Sequence, residues 1–295
     1  MLKPGAVQFC RYTTYQRDLI KKWRRAHLNK QATERAAMNE KRARARKSGE
    51  GGKPLEAFFL IDAMTEFKTT TPRFASDSTG APVQGDNFQA RTFGVEVVCG
   101  QSVDGYFIYT TDNYMGKGAD LMVEIQRQAF ADLEELLQSR GKTIKGGIVH
   151  LHYDNSTENK NKTMFFYLSM LVELNIFDVV NVNFLMVGHT HSSIDQYFSQ
   201  LSKIIGSAPF LGTPIALHHL FKTHLNERRP LVCRSVEVYF DCTTAWDKSR
   251  YMYRHYNAPH AYRILKRGEK ACMEYMLYSG GQWLPKPPRM KEQQR

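Results

Sequence analysis

From residue 146 to residue 204 the chain reads strand, helix, strand, helix: "GGIVHLHYD", "KTMFFYLSMLVEL", "VVNVNFLMVG" and "SSIDQYFSQLSKI". Two strands joined through a helix run parallel with a right-handed crossover, so this stretch alone demands an α/β sheet with helices packed on it. Just upstream, "GADLMVEIQRQAFADLEELLQSRGK" carries Leu121, Ile125, Phe130, Leu133 and Leu137 at helical spacing, with acids early and basic residues and a glycine at its end. Before that helix come three strand-like runs, "EAFFLIDAMTEF", "FQARTFGVEVVCG" and "GYFIYTTDNY". The last two are joined by a short polar "QSVD", as in a hairpin, so the three predict an antiparallel meander.

Three strands, a helix, then strand, helix, strand, helix is the element order of the ribonuclease H-like fold, shared by many transposases, integrases and junction nucleases. The fold class expected is therefore α/β, a ribonuclease H-like mixed sheet. In that fold one carboxylate lies on the first strand, a second at the end of the fourth, and a third on the helix after the fifth. The sequence has Asp62 in "FFLIDAM", Asp154 in "VHLHYDN" and Asp195 in "HSSIDQYF" at those places. Asp62 is the most telling, because an unpaired carboxylate inside an apolar strand costs several kcal/mol unless it binds metal, pairs or takes up a proton. Asp154 also suits a turn, and Asp195 also suits the first turn of a helix. Together the three predict a two-ion Mg²⁺ or Mn²⁺ site, the ions roughly 3.5 to 4 Å apart, for phosphodiester hydrolysis or strand transfer.

Neighbouring residues extend the candidate site. Glu158 and Asn155 flank Asp154, with Glu158 a candidate metal ligand, while Lys160 and Lys162 are placed to meet phosphate. His189 and His191 precede the last acid, where an imidazole can shuttle a proton for the leaving group. His-x-His after a strand, with His150 and His152 on one face of another strand, also suits a His-ligated metal hydrolase, a competing class. Ser193 and Ile194 stand where that motif needs Asp and His.

The strings "IDAMTEFKTTTPRF", "YDNSTENKNK" and "VGHTHSSIDQYFS" resemble the recurring blocks of an uncharacterised, transposon-associated domain family, over roughly residues 55 to 285. Those blocks run as IDGMDQ, DN-x-x-ENKN and GHTH-x-DID, so Asp62, Asp154, Glu158, His189, His191 and Asp195 match. Ala63 replaces a glycine, Glu66 meets the block's second acid only by a shifted spacing, and Ser193 replaces an acid. The resemblance implies a transposase-like or integrase-like nuclease, and the lost acid at Ser193 keeps a catalytically inactive, nucleic-acid-binding copy in play.

Charge adds a partner. The chain carries a net +12, but residues 1–53 hold 15 Lys+Arg against 4 Asp+Glu and the rest is close to neutral. Lys21, Lys22, Arg24, Arg25, Arg42, Arg44, Arg46 and Lys47 lie in a run of helix formers that ends in the breaker "SGEGGKP". Such an arm neutralises phosphates without reading sequence, so DNA is the expected partner and the nucleus the expected location. Self-association is compatible with the sequence, and no membrane partner is expected, because no run of about 18 apolar residues and no secretory signal occurs. The five cysteines are scattered with no C-x-x-C, which predicts reduced thiols. Three regions follow: a basic helical arm and linker (1–53), the catalytic-type domain (54–206), and an extension of a helix and a β-hairpin with a disordered tail (207–295).

Overall fold

A computed structural model describes residues 13–74, 88–111, 115–116, 118–185, 193–224, 230–246, 259–277 and 281–285. The protein is α/β, built on a large mixed sheet. Helix α1 (Thr14–Arg46) leads into strand β1 (Glu56–Ala63), the short α2 (Glu66–Thr69), and β2 (Thr70–Thr71), β3 (Arg73–Phe74) and β4 (Phe88–Gln89). Then follow β5 (Arg91–Cys99), β6 (Val103–Thr111), α3 (Ala119–Gln138), β7 (Gly147–Tyr153), α4 (Lys162–Glu173), β8 (Phe177–Phe184) and α5 (Ser193–Ser207). The remainder comprises β9 (Phe210–Leu211), α6 (Pro214–His224), β10 (Val232–Val236), α7 (Cys242–Ala245), β11 (Ala261–Arg267), β12 (Lys270–Met276) and β13 (Leu284–Pro285).

The main sheet has nine strands in the order β10-β6-β5-β1-β7-β8-β11-β12-β13. β1, β5 and β6 form the antiparallel meander, and β7 and β8 then run parallel to β1, as the alternation of strands and helices requires. β1 lies at the centre with Ala57 to Ile61 all at most 2% exposed. An uninterrupted apolar run is what a strand covered on both faces needs. Phe59 and Ile61 join the core under α3 and α4, while Phe58 and Leu60 join the core under α5, α6 and the end of α1. α3 is fixed to the first layer by Phe130 packed edge-on against Phe59, and by Asp132 accepting from the Tyr109 hydroxyl at 2.7 Å.

Two features depart from the division into three regions. The segment after α1 does not act as a loose spacer: Ala45 is fully buried, its carbonyl accepts from Gly100 N at 2.8 Å, and Ser48 Oγ bonds the carbonyls of Ala45 and Glu56. The end of α1 is thus part of the folded body. The extension also enters the same sheet, with β10 parallel to β6 at one edge and β11 antiparallel to β8 at the other. A disordered tail is expected at the end of the extension; residues 286–295 lie outside the described residues. Cys99, Cys233, Cys242 and Cys272 are free thiols, and no described helix is long and apolar enough to cross a membrane.

Candidate active site

Asp62 is one residue from the end of β1, opposite Gly94 of β5, and strand alternation puts it on the face of Phe58 and Leu60. Its Oδ1 accepts from the Ala63 N–H at 2.8 Å, and among the described residues it has no cationic partner. Burial pushes its carboxyl up to about 7, the Ala63 N–H opposes this, and the charges of Asp154 and Asp195 push it further up. Asp154 and Asp195, 41 positions apart from each other and far along the chain from Asp62, thus lie within electrostatic reach of it. Among the described residues, no three His, Cys, Asp or Glu groups are close enough to hold one metal ion between them.

Asp154 follows β7 directly and opens the loop "DNSTENKNK". Several polar residues of that loop have definable tasks. Asn159, 6% exposed, donates its amide to Asp154 Oδ1. Asn161 caps α4, its Oδ1 accepting from Met164 N at 2.9 Å, a contact worth about 1 kcal/mol. Lys160 turns inward: its Nζ donates to the Pro259 carbonyl at 2.7 Å and to Asn155 Oδ1, and lies 4.9 Å from the Phe184 ring. Burial lowers it to about 8. It is therefore a loop pin and not the phosphate contact expected from its charge, whereas Lys162 is exposed at the start of α4. Glu158 is exposed and lines a small cleft of about 100 Å³ with Ala63, Met64, Phe93, Gly118 and Met122. Glu66, in the same cleft, pairs with Arg91 at 3.0 Å and so has a structural partner.

Asp195 is in the first turn of α5, whose Ile194, Tyr197, Phe198, Leu201 and Ile205 are buried. Gly94 allows α5 to lie this close to Asp62. A Cβ built there would come 2.7 Å from the Phe198 ring and 3.0 Å from Ile194 Cδ1. Ser193, which replaces the acid of the sequence pattern, donates its hydroxyl to Glu96 on β5, and Glu96 also pairs with Arg42 of α1.

A family model, the domain of unknown function DUF7869, matches residues 91–280, about two thirds of the chain. The chain belongs to the DUF7869 family. The match takes in Asp154, Glu158 and Asp195 and begins after Asp62. No curated protein and no solved structure matches the chain.

In this DUF7869 protein His189 and His191 lie outside the described residues. His150 and His152 are 2% exposed on β7, His150 bonded to Glu56 at 2.8 Å and His152 packed on the Phe58 ring. Burial lowers both imidazoles, so they are neutral core groups at neutral pH. The arm cations divide by position. Lys21, Lys22, Arg24, Arg25 and Lys47 are exposed, with Trp23 67% exposed among them. Lys21 pairs locally with Asp18 at 3.3 Å, whereas Arg42, Arg44 and Arg46, the last two exposed as well, pair across to Glu96, Glu56 and Asp104, and Lys41 donates to Asn183 at 2.6 Å. The sequence signal that could have found Glu96 and Asn159 was slight: an acid inside "FGVEVVCG", and an asparagine five residues after an aspartate.

Proposed function

We propose that this protein is a transposase-like or integrase-like nuclease of ribonuclease H-like fold, which hydrolyses or transfers phosphodiester strands of DNA with two Mg²⁺ or Mn²⁺ ions. The observation that carries the reading is that Asp62, near the end of the first strand, feels the negative charges of Asp154, at the end of a parallel neighbour, and of Asp195, on the helix beyond the next strand. The meander followed by parallel strands, β6-β5-β1-β7-β8, is the arrangement that element order requires. The donor chemistry suits the group, since carboxylate oxygens favour a hard divalent cation and half-buried Asp62 has no cationic partner among the described residues; in the metal-free arrangement no three described groups stand close enough to share one ion, so binding would draw the acids together. Asp62, Asp154 and Asp195 would hold the ions, with Glu158 at the rim. Bound there, the metal supplies an activated nucleophile and offsets charge on the leaving oxygen. The chain's own part is to fix the acids on rigid elements, to orient Asp154 through Asn159, and to hold the strand by Lys162 and the exposed cations of α1.

The test is nicking of supercoiled DNA by the purified protein with Mn²⁺. Asp62→Asn, Asp154→Asn and Asp195→Asn should each lower the rate by more than the about 10–100-fold typical of residues that only support a ligand, with the melting transition kept. Cleavage unaffected by Asp62→Asn would defeat the assignment.

A second reading is favoured by Ser193 and its bond to Glu96, which commit to the scaffold a position where the pattern of the resembled family carries an acid. It makes the protein a catalytically inactive copy that binds nucleic acid. Calorimetry separates the two, since such a copy retains DNA binding but takes up no Mn²⁺ at millimolar concentration.

A further inference from the structure

Glu96 lies on β5 directly opposite Leu60 of β1, two residues along the strand from Gly94, the partner of Asp62. It is 1% exposed and has two partners from two different elements: its Oε2 accepts from Ser193 at the start of α5, and its Oε1 pairs with Arg42 near the end of α1. A buried carboxylate is tolerated only when it is paired and hydrogen-bonded, and removing one partner leaves a charge that burial strongly disfavours. Burial does raise the Glu96 carboxyl, with the Ser193 bond and the Arg42 charge opposing it. Docking of α1 and anchoring of the first turn of α5 are thus linked through a single group.

We infer that Glu96 is a positioning residue for Asp195 and that Arg42 ties the basic helix to it, so that α1 has two separable roles. Its exposed cations, Lys21, Lys22, Arg24 and Arg25, hold a polyanion, and its last turns hold the helix that carries the third acid. The 33-residue helix spans about 50 Å, so the two roles sit at well-separated places along it. The inference rests on reading Asp195 as part of the metal-dependent site.

The experiment is a mutant cycle in the full chain, read by amide hydrogen exchange across residues 193–197 and by Mn²⁺-dependent nicking. Arg42→Met leaves Glu96 charged and half-paired, so exchange there should rise about tenfold or more. Glu96→Gln keeps an acceptor for Ser193 and needs no cation, so exchange should stay near wild type. The double variant should restore it, which a general loss of packing would not do. In the nicking assay Arg42→Met should lower kcat about tenfold with KM for DNA unchanged, whereas replacing Lys21, Lys22, Arg24 and Arg25 together by Gln in the full chain should raise KM with little effect on kcat. Unchanged exchange in Arg42→Met, or no restoration in the double variant, overturns the inference. If the wild-type protein does not nick DNA, the nuclease reading fails while the exchange cycle still decides the positioning role.

Discussion

Asp62 sits on a strand whose preceding five side chains are at most 2% exposed, and its carboxyl is held near 7 instead of the usual 3.8. Between those two pH values the folded protein keeps the proton and the unfolded chain does not. The contribution of Asp62 to stability is therefore fully present below about pH 4 and is lost as pH rises through 7. Asp62→Asn retains the shape without the charge, so it should stabilise the metal-free protein at pH 8 by about 1–3 kcal/mol, and the gain should shrink towards zero near pH 4. Urea midpoints of the two proteins at both pH values measure this, and an equal gain at each would mean that ionisation is not the cause. Millimolar Mn²⁺ should raise the melting temperature of the wild type and leave Asp62→Asn unchanged, because only the carboxylate gains a counter-charge.

At the scale of elements, the approach of α5 to the sheet decides how near Asp195 comes to Asp62. Gly94 makes that approach possible, and the constraint is steric: the added methyl of Gly94→Ala would press on Phe198 and Ile194. Overpacking of this kind costs about 1–3 kcal/mol. The urea midpoint should drop accordingly, and Phe198→Leu added to Gly94→Ala should recover part of the loss by making room. A Gly94→Ala protein as stable as wild type would show that α5 is not seated against this glycine. The loop after β7 shows the same economy: Asn161 starts α4, Lys160 pins the loop to the Pro259 carbonyl, and Asn159 holds the acid. Substituting these residues acts on Asp154 through its support, whereas Glu158 projects into the cleft.

For the whole molecule, the strands at both ends of the sheet come from late in the chain. β10 covers β6, and β11 with β12 covers β8, so the extension closes the two edges that the central strands leave. A chain ending at residue 206 would keep the three acids and α5 but expose the unpaired backbone of β6 and β8. Such long free edges template association. That shortened protein should elute as large aggregates by light scattering, and a soluble monomer with the wild-type melting transition would show that residues 207–295 are a separable domain. The docked end of α1 points the same way, since Ala45, Ser48 and the three arginine pairs tie it to β1, β5 and the start of β6.

Much of this was legible in the sequence because it is local. Hydrophobic period and turn residues fix the identity and order of β1, β5, β6, α3, β7, α4, β8 and α5 almost where they occur, since each depends on neighbours within a few positions. An aspartate within "AFFLIDAM" announces itself by the cost of burying it, whichever strands flank it. What the sequence left open are pairings between distant residues. Lys160 and Lys162 differ by two positions and look alike as charges, yet one is buried under the Pro259 carbonyl and the other is exposed. Arg42, Arg44 and Arg46 read as part of one basic arm with Lys21, Lys22, Arg24 and Arg25, yet they end on Glu96, Glu56 and Asp104. Periodicity records which face of an element is apolar, but not which carboxylate from another strand will stand opposite a given cation. Only the assembled sheet decided that, because burial in three dimensions sets both the cost of leaving such a charge alone and the partner close enough to offset it.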